Sequence, residues 1–153
     1  MADFENVLFP VAKFHFRMTV DGEQISFQEI TGLSSEIEAL EYRHGDSQNF
    51  FKIKGAGLLK YENIEAKKGV FQDDDRLHEL FNRVYDKDYY TDYESRMDIL
   101  AELLNESGET VMAWNAVNAF PVKLTATDLK SDGNEVAIEG LSWAHEQVLT
   151  SLA

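Results

Sequence analysis

Residues 14–27 read FHFRMTVDGEQISF, and this stretch decides the fold class. In residues 14–20, apolar side chains beginning with Phe14 occupy every second position, which is typical of a half-buried β-strand. Asp21-Gly22 follows, a dipeptide that favours the tight turn of a β-hairpin. The alternation then resumes. The segment therefore predicts two antiparallel strands with one apolar face.

Extended segments continue on the C-terminal side of this hairpin. Gly32 ends or bends the second strand, and residues 36–42 predict the next one. Residues 45–57 begin and end with glycine and carry a few apolar side chains in a polar sequence, which indicates a polar hairpin or a long loop. A further strand is expected over residues 58–67.

One amphipathic helix is predicted after these strands. Apolar residues recur along a single helical face at Leu77, Leu80, Phe81, Val84 and Tyr85. Three aspartates at 73–75 precede the helix, where carboxylates accept hydrogen bonds from free amide groups and suit the positive end of the helix dipole. We expect them to cap the helix and not to bind a metal, since no further carboxylate lies at ligand spacing.

The C-terminal half is expected to be extended as well. Residues 96–104 fit a strand and a helix equally well by periodicity. The turn predicted at 105–108 would complete a hairpin, which favours the strand. Residues 111–118, which include Trp114, predict the next strand, and another extended piece begins at residue 120.

Two positions in this half predict irregular pairing. Pro121 has no N–H to donate, so we expect it at a strand start or at a sheet edge. The apolar alternation shifts by one residue between Ile138 and Leu141. Such a shift predicts a β-bulge at Glu139-Gly140.

These segments add up to about seven or eight strands and one main helix. With no linker, repeat or low-complexity segment, residues 1–153 predict a single domain. The expected fold is mainly β, an antiparallel β-sandwich or barrel with one flanking α-helix. Edge strands of such a domain present unpaired backbone groups, which in a closed ring would join many copies into one continuous sheet.

Charge limits the partners of the chain. There are 28 acidic residues against 14 basic ones, a formal net charge of −14. Such a surface disfavours binding to nucleic acid and to anionic membranes, which both depend on Lys and Arg. The N-terminus lacks the basic start and apolar core of a signal peptide, and no apolar run is long enough to cross a bilayer. We therefore expect synthesis in the cytoplasm and no stable membrane anchoring.

The sequence contains no arrangement typical of an active site. The chain has no cysteine, and no two of its four histidines stand at i, i+2 or i, i+4, so a zinc site is not expected. No Gly-x-Ser-x-Gly segment is present, and the lone Gly-x-Gly at 55–57 is not expected to cradle a phosphate. Tyr89, Tyr90 and Tyr93 lie in an acidic setting, which favours an interface patch over nucleic-acid stacking. We expect no enzyme activity, no cofactor and no catalytic residue.

Five blocks in order resemble the T4-type tail tube family, the inner-tube proteins of contractile phage tails and related injection machines. They cover most of residues 14–148. The blocks are 27–34 (FQEITGLS), 41–45 (EYRHG), 53–55 with 58–69 (IKG, LLKYENIEAKKG), 114–122 (WNAVNAFPV), and 134–139 with 145–146 (NEVAIE, HE). The loop over residues 86–95 departs from the family pattern.

This resemblance implies hexameric rings whose inner wall is a continuous β-barrel, stacked into a rigid hollow tube. The implied partners are further copies of the chain, sheath and baseplate or spike proteins, and protein or DNA cargo in the lumen. The implied setting is a phage tail-like particle, either a virion tail or a cellular or extracellular injection system. The region 41–57 would be a hairpin that reaches the neighbouring ring.

Two sets of residues follow from the resemblance. Contacts between subunits or rings are implied for Glu41, Tyr42, Arg43, Gly45, Phe50 and Phe51. Positions of the structural motif are Gly32, Leu33, Trp114, Pro121 and Glu139.

Two other functions stay open. One is a type VI secretion tube protein that also acts as a chaperone for effectors. The other, from a different class, is a monomeric β-barrel that binds a small molecule in an apolar cavity.

Overall fold

The computed structural model describes residues 10–46, 48, 50–85 and 96–152. This part of the chain forms ten β-strands and one α-helix. The elements are β1 (Phe16–Val20), β2 (Glu23–Ile25), β3 (Glu29–Thr31), β4 (Ser35–Tyr42), β5 (Ile53–Tyr61), β6 (Ile64–Gly69), α1 (Arg76–Tyr85), β7 (Met97–Leu104), β8 (Thr110–Thr125), β9 (Ile138–Ala144) and β10 (Gln147–Leu152). The helix among these residues is too short to cross a membrane.

Eight of the strands form one antiparallel sheet. Its order is β2-β1-β7-β8-β9-β6-β3, and β10 also pairs with β8. The first part of β8 pairs with β7 and β10, whereas its last part pairs with β9. β8 therefore connects the two halves of the sheet. The mainly β, antiparallel fold with a flanking helix is confirmed.

The described residues form one apolar core, to which both halves of the sheet and α1 contribute. Side chains from β1, β6, α1, β7, β8 and β9 meet in it, including the fully buried Trp143 and Leu77. Phe27 packs edge-on against Trp143, with ring centroids 6.4 Å apart. Helix α1 packs against β8 and β9.

The predicted local signals at the first turn and at the helix are confirmed. Asp21 and Gly22 both have positive φ, 51° and 83°, as the tight hairpin turn between β1 and β2 requires. Before α1, the Asp74 carboxylate accepts a hydrogen bond from the Arg76 N–H at 3.3 Å. The Asp75 carbonyl accepts the Glu79 N–H at 3.0 Å. The Asp74 carboxylate therefore caps the helix, as expected, whereas the Asp75 bond is the first backbone bond of the helix.

Three expectations in the first half and at the end of the chain were wrong. Phe14 lies before β1 and is 82% exposed, so it does not continue the buried face of that strand. Residues 58–67 form not one strand but parts of β5 and β6, which end and begin on either side of Glu62-Asn63. The β6–β9 register runs unbroken through Glu139 and Gly140, so no bulge lies there. The apolar pattern misled because buried Glu139 occupies a core-facing position.

The extended pieces around Pro121 form one strand. Residues 111–118 and 120–122 belong to β8, with Asn118 at φ 52° where the β7–β8 register shifts. Pro121 thus lies inside a strand and not at its start. The register with β9 shifts next to it, and β7 pairing ends at Ala119. Beyond Ala119, β8 has no partner among the described residues on the side where β7 lay, so that side is a sheet edge. A missing N–H on a sheet edge breaks no hydrogen bond between strands.

Candidate functional site

The hairpin β4–β5 stands apart from the main sheet. Ser35 pairs with Tyr61 at its base and Tyr42 pairs with Ile53 towards its tip. Within the described ranges, these two strands pair only with each other. Every residue of β4 is exposed, as are most residues of β5. The hairpin is therefore a free two-stranded ribbon about 25 Å long, at roughly 3.3 Å per residue.

This hairpin carries eight of the 17 large exposed apolar side chains among the described residues. Phe50 is 99% and Leu58 80% exposed. The others on the hairpin are Ile37, Leu40, Tyr42, Phe51, Ile53 and Leu59. An apolar surface of this kind on a folded protein marks an interaction site, and an isolated two-stranded hairpin is marginally stable in water. We therefore expect the hairpin to pack against another protein surface.

The apolar side chains lie on both faces of the ribbon. Partners directly opposite share a face, and successive residues alternate. Tyr42 and Ile53 are opposite partners on one face, and Leu40 lies on that same face. Ile37 and Leu59 are opposite partners on the other face. One neighbouring surface would cover only one of these faces.

A bulge and two exposed ion pairs shape the hairpin. Between Ile37 and Ala39 the register shifts, and a Cβ on Gly57 would lie 2.5 Å from the Glu38 carbonyl oxygen, so the bulge admits only glycine at position 57. The Glu38–Lys60 and Glu41–Lys52 carboxylate–ammonium distances are both 3.2 Å. Exposed pairs of this kind contribute about 0–1 kcal/mol.

The predicted contact residues all lie towards the outer end of this hairpin. The Tyr42 hydroxyl is 2.9 Å from His44 Nδ1, and the two rings meet edge to face. Phe51 is 67% exposed. The structure thus brings together Glu41, Tyr42, Arg43, Gly45, Phe50 and Phe51 on one surface segment. Tyr89, Tyr90 and Tyr93, the other predicted patch, lie outside the described residues.

Gly32 and Asn63 form the base of the hairpin. Gly32 has φ 88°, and a Cβ there would overlap the Asn63 carbonyl oxygen. The chain can therefore cross at this point only with glycine. The next residue, Leu33, packs against the core and anchors the crossing.

The remaining motif residues lie in the main sheet, and one of them belongs to a buried ion cluster. Trp114 packs against the core from β8. Glu139 is 6% exposed and Lys68 2%. The Lys68 ammonium lies 3.0 Å from Glu139 Oε1 and 3.2 Å from Asp74 Oδ2. The cluster joins β6 and β9 to the start of α1.

Hydrogen bonds within the cluster stabilise the charged forms of its side chains. Lys68 donates a hydrogen bond to the Gly69 carbonyl at 3.0 Å. Hydrogen bonds from Arg76 lower the pKa of Asp74 well below its usual range, against the effect of burial, and Lys68 adds to this lowering. The cluster consists of ion pairs that join secondary-structure elements. No group of three or more possible metal ligands occurs among the described residues.

Sequence patterns missed this cluster. A lysine in a strand of alternating pattern is normally assigned to the solvent face, and only the alternation of the apolar residues Ile64 and Ala66 places Lys68 on the buried face of β6. That parity was the available signal.

Solved structures of contractile machines share this architecture. A chain of an extracellular contractile injection system, the PVC sheath–tube complex in the extended state, matches with a TM-score of 0.84 and 28% identity, covering 96% of this chain and 95% of that one. A chain of the anti-feeding prophage cap matches with a TM-score of 0.83 and 29% identity, covering 95% and 93%. A type six secretion system protein, with a TM-score of 0.59, 9% identity and coverage of 90% and 82%, shares the fold alone. No curated protein sequence matches the chain.

The fold and its free hairpin are those of a structural tube protein. The family described as T4-like virus tail tube protein gp19 matches residues 12–149, and the chain belongs to this family.

Proposed function

We propose that this protein is the inner-tube subunit of a contractile injection system or contractile phage tail. Hexameric rings of the chain close a continuous β-barrel around a lumen, and the rings stack into a rigid hollow tube. The observation that carries the proposal is the free β4–β5 hairpin, with apolar side chains open on both faces. Family membership supports the tube, and the hairpin supplies a means of assembly.

The two faces of the hairpin favour a contact with more than one neighbour. A ribbon with Leu40 on one face and Ile37 on the other buries both only when it lies between two surfaces. Subunits in a ring stacked on another ring provide two such surfaces. In this arrangement Glu41, Tyr42, Arg43, Gly45, Phe50 and Phe51 contact neighbouring subunits, and backbone groups at free sheet edges pair within the ring.

The relatives support a proposal for what surrounds the tube. The similar chains come from a sheath–tube complex and from a sheath/tube terminator. We propose that a sheath and a baseplate or spike surround and end the tube of this protein in a phage tail-like particle. Its function is mechanical, with no enzymatic step, and the lumen conducts protein or DNA.

Electron microscopy of the purified protein tests the proposal. We expect rings or tubes from the wild-type chain, and monomers or isolated rings from a chain lacking residues 46–50. Circular dichroism should show the same β content for both, since the tip lies outside the core. The exposed substitution Glu106→Ala, in the β7–β8 turn, is the control and should leave tubes intact.

Long tubes from the shortened chain would show that the tip makes no essential contact. A wild-type chain that stays monomeric in all conditions would contradict the tube function and favour a small-molecule-binding β-barrel.

A further inference from the structure

A groove opens at the end of the molecule away from the hairpin. It is lined by most of the loop between β8 and β9, residues 126–137, together with Lys67 of β6 and Gly140 of β9. Its volume is about 570 Å³. That volume falls within the range of sites that take large side chains or ligands. Val136, in this loop, is 77% exposed.

The strand register places the groove and the hairpin at opposite ends of one ribbon. Thr31 pairs with Glu65, and Ser35 pairs with Tyr61, four positions further along each strand. The β3–β6 and β4–β5 pairs are therefore one ribbon with an unchanged register across Gly32. The hairpin leaves at the Ile64 end of β6, whereas the groove begins at Lys67 near the other end.

Charge distinguishes the two ends. The whole chain carries −14, yet the outer end of the hairpin, residues 41–54, has Arg43, Lys52 and Lys54 against Glu41 and Asp46. The groove has the opposite sign. Its exposed lining has three carboxylates against two lysines, Asp128, Asp132 and Glu135 against Lys67 and Lys130, while the buried Glu139 is neutralised by Lys68. Complementary charges of this kind orient and select partners.

Shape and polarity agree with the charges. Phe50 is 99% exposed at the basic tip, and the acidic groove presents the exposed Val136. An apolar side chain at each surface gives a contact that releases water from both. A tip at one end and a groove at the other make a head-to-tail contact, which continues into an open stack instead of closing a dimer.

We propose that the hairpin tip of one copy, led by Phe50, seats in the β8–β9 groove of a second copy, with Lys54 facing Glu135. The proposal rests on the proposed tube function and assigns the receiving surface for the hairpin. Stacking is then directional, because the tip and the groove belong to opposite ends of the subunit.

Cross-linking in assembled tubes tests the seat directly. The chain has no cysteine, so Phe50→Cys and Val136→Cys introduce the only thiols. The two single variants are mixed, assembled and treated with a short bifunctional maleimide. We expect a covalent dimer that neither variant gives alone, and we expect a Phe50→Cys and Glu106→Cys mixture, with a thiol in the remote β7–β8 turn, to give none.

A charge swap tests the same contact without cysteines. Lys54→Glu and Glu135→Lys should each raise the protein concentration needed for tubes by about tenfold, and the double variant should restore it to within about threefold. The matched control Lys54→Glu with Glu106→Lys should stay as poor as Lys54→Glu alone.

The outcomes separate the seat from the tube function. Cross-linking at position 136 or rescue by the double charge swap supports the seat. Wild-type tubes that give neither would overturn it and leave the tube function standing. A wild-type chain without rings or tubes would remove the tube function, and the seat with it.

Discussion

Single residues hold both ends of the ribbon that runs through this molecule. Gly32 lets the chain pass the Asn63 carbonyl where the hairpin leaves the sheet. Near the other end of β6, Lys68 ties Asp74 ahead of α1 to Glu139 of β9. Gly32 matters because it has no side chain, and Lys68 matters because it neutralises two carboxylates. Substitutions at the two positions should therefore destabilise the protein for different reasons.

Gly32→Ala should destabilise the monomer far more than Gly22→Ala. Both glycines have similar positive φ, 88° and 83°, so alanine meets a similar backbone strain of about 1–2 kcal/mol at each. At Gly22 an added Cβ meets nothing within 4 Å, whereas at Gly32 it meets the Asn63 oxygen. We expect a total loss above about 3 kcal/mol at Gly32, measured by urea unfolding. Equal losses of unfolding free energy in the two variants would show that the backbone at Gly32 and Asn63 moves apart without cost.

Lys68→Met should also be costly, because it leaves the buried Glu139 carboxylate without its cation. Removing one member of a buried ion pair costs about 3–5 kcal/mol. Lys68→Met with Glu139→Leu should lose much less, since Asp74 keeps its hydrogen bonds to Arg76. Lys130→Met, at a lysine 75% exposed, is the matched control and should change little. Thermal unfolding measures all three, and a double variant as unstable as the single would contradict the pairing.

At the scale of the element, sequence patterns predicted those strands and turns whose signals are local. The Asp21-Gly22 turn needs only its own φ angles, and the α1 stripe needs only one buried face. The sequence predicts two extended pieces where β8 is one strand, because Pro121 is expected at a strand start or a sheet edge. Here a register shift and a sheet edge accommodate Asn118 and Pro121, and both depend on where β7 and β9 end. Such tertiary pairing is absent from any local pattern.

The family resemblance located the candidate site, but it did not predict the length of the hairpin or its exposed apolar faces. Residues 45–57 suggested a polar hairpin or a long loop, yet the ribbon begins at Ser35 and carries apolar side chains on both faces. Apolar residues on both faces of a strand normally indicate burial in the monomer. In this hairpin they are exposed, since its cover is a neighbouring copy in the proposed tube. Buried Glu139 is the opposite case, a charged residue on the buried face of β9, where the alternation pattern expects an apolar one.

At the scale of the whole molecule, repulsion between copies opposes the attraction at the hairpin. Each copy carries −14, and stacked rings bring many such charges together. The apolar contacts of Leu40, Tyr42 and Phe50 must offset this repulsion for a tube to form. In the proposed tube, a lumen wall of the same sign would repel acidic cargo.

Assembly of the purified protein should therefore become easier as salt rises. Repulsion between exposed carboxylates acts over many ångströms and is screened strongly, as the Debye length falls from about 30 Å at 0.01 M to about 10 Å at 0.1 M. The attraction between tip and groove acts at contact, where water is partly excluded and screening is weaker, and apolar burial does not weaken with salt. Sedimentation across a salt series should show a growing tube fraction for the wild type. Lys54→Glu should need more salt than the wild type to reach the same fraction, because it replaces a positive charge at the contact with a negative one. Tubes that dissociate as salt is added would show that charge attraction, and not apolar burial, holds the rings together.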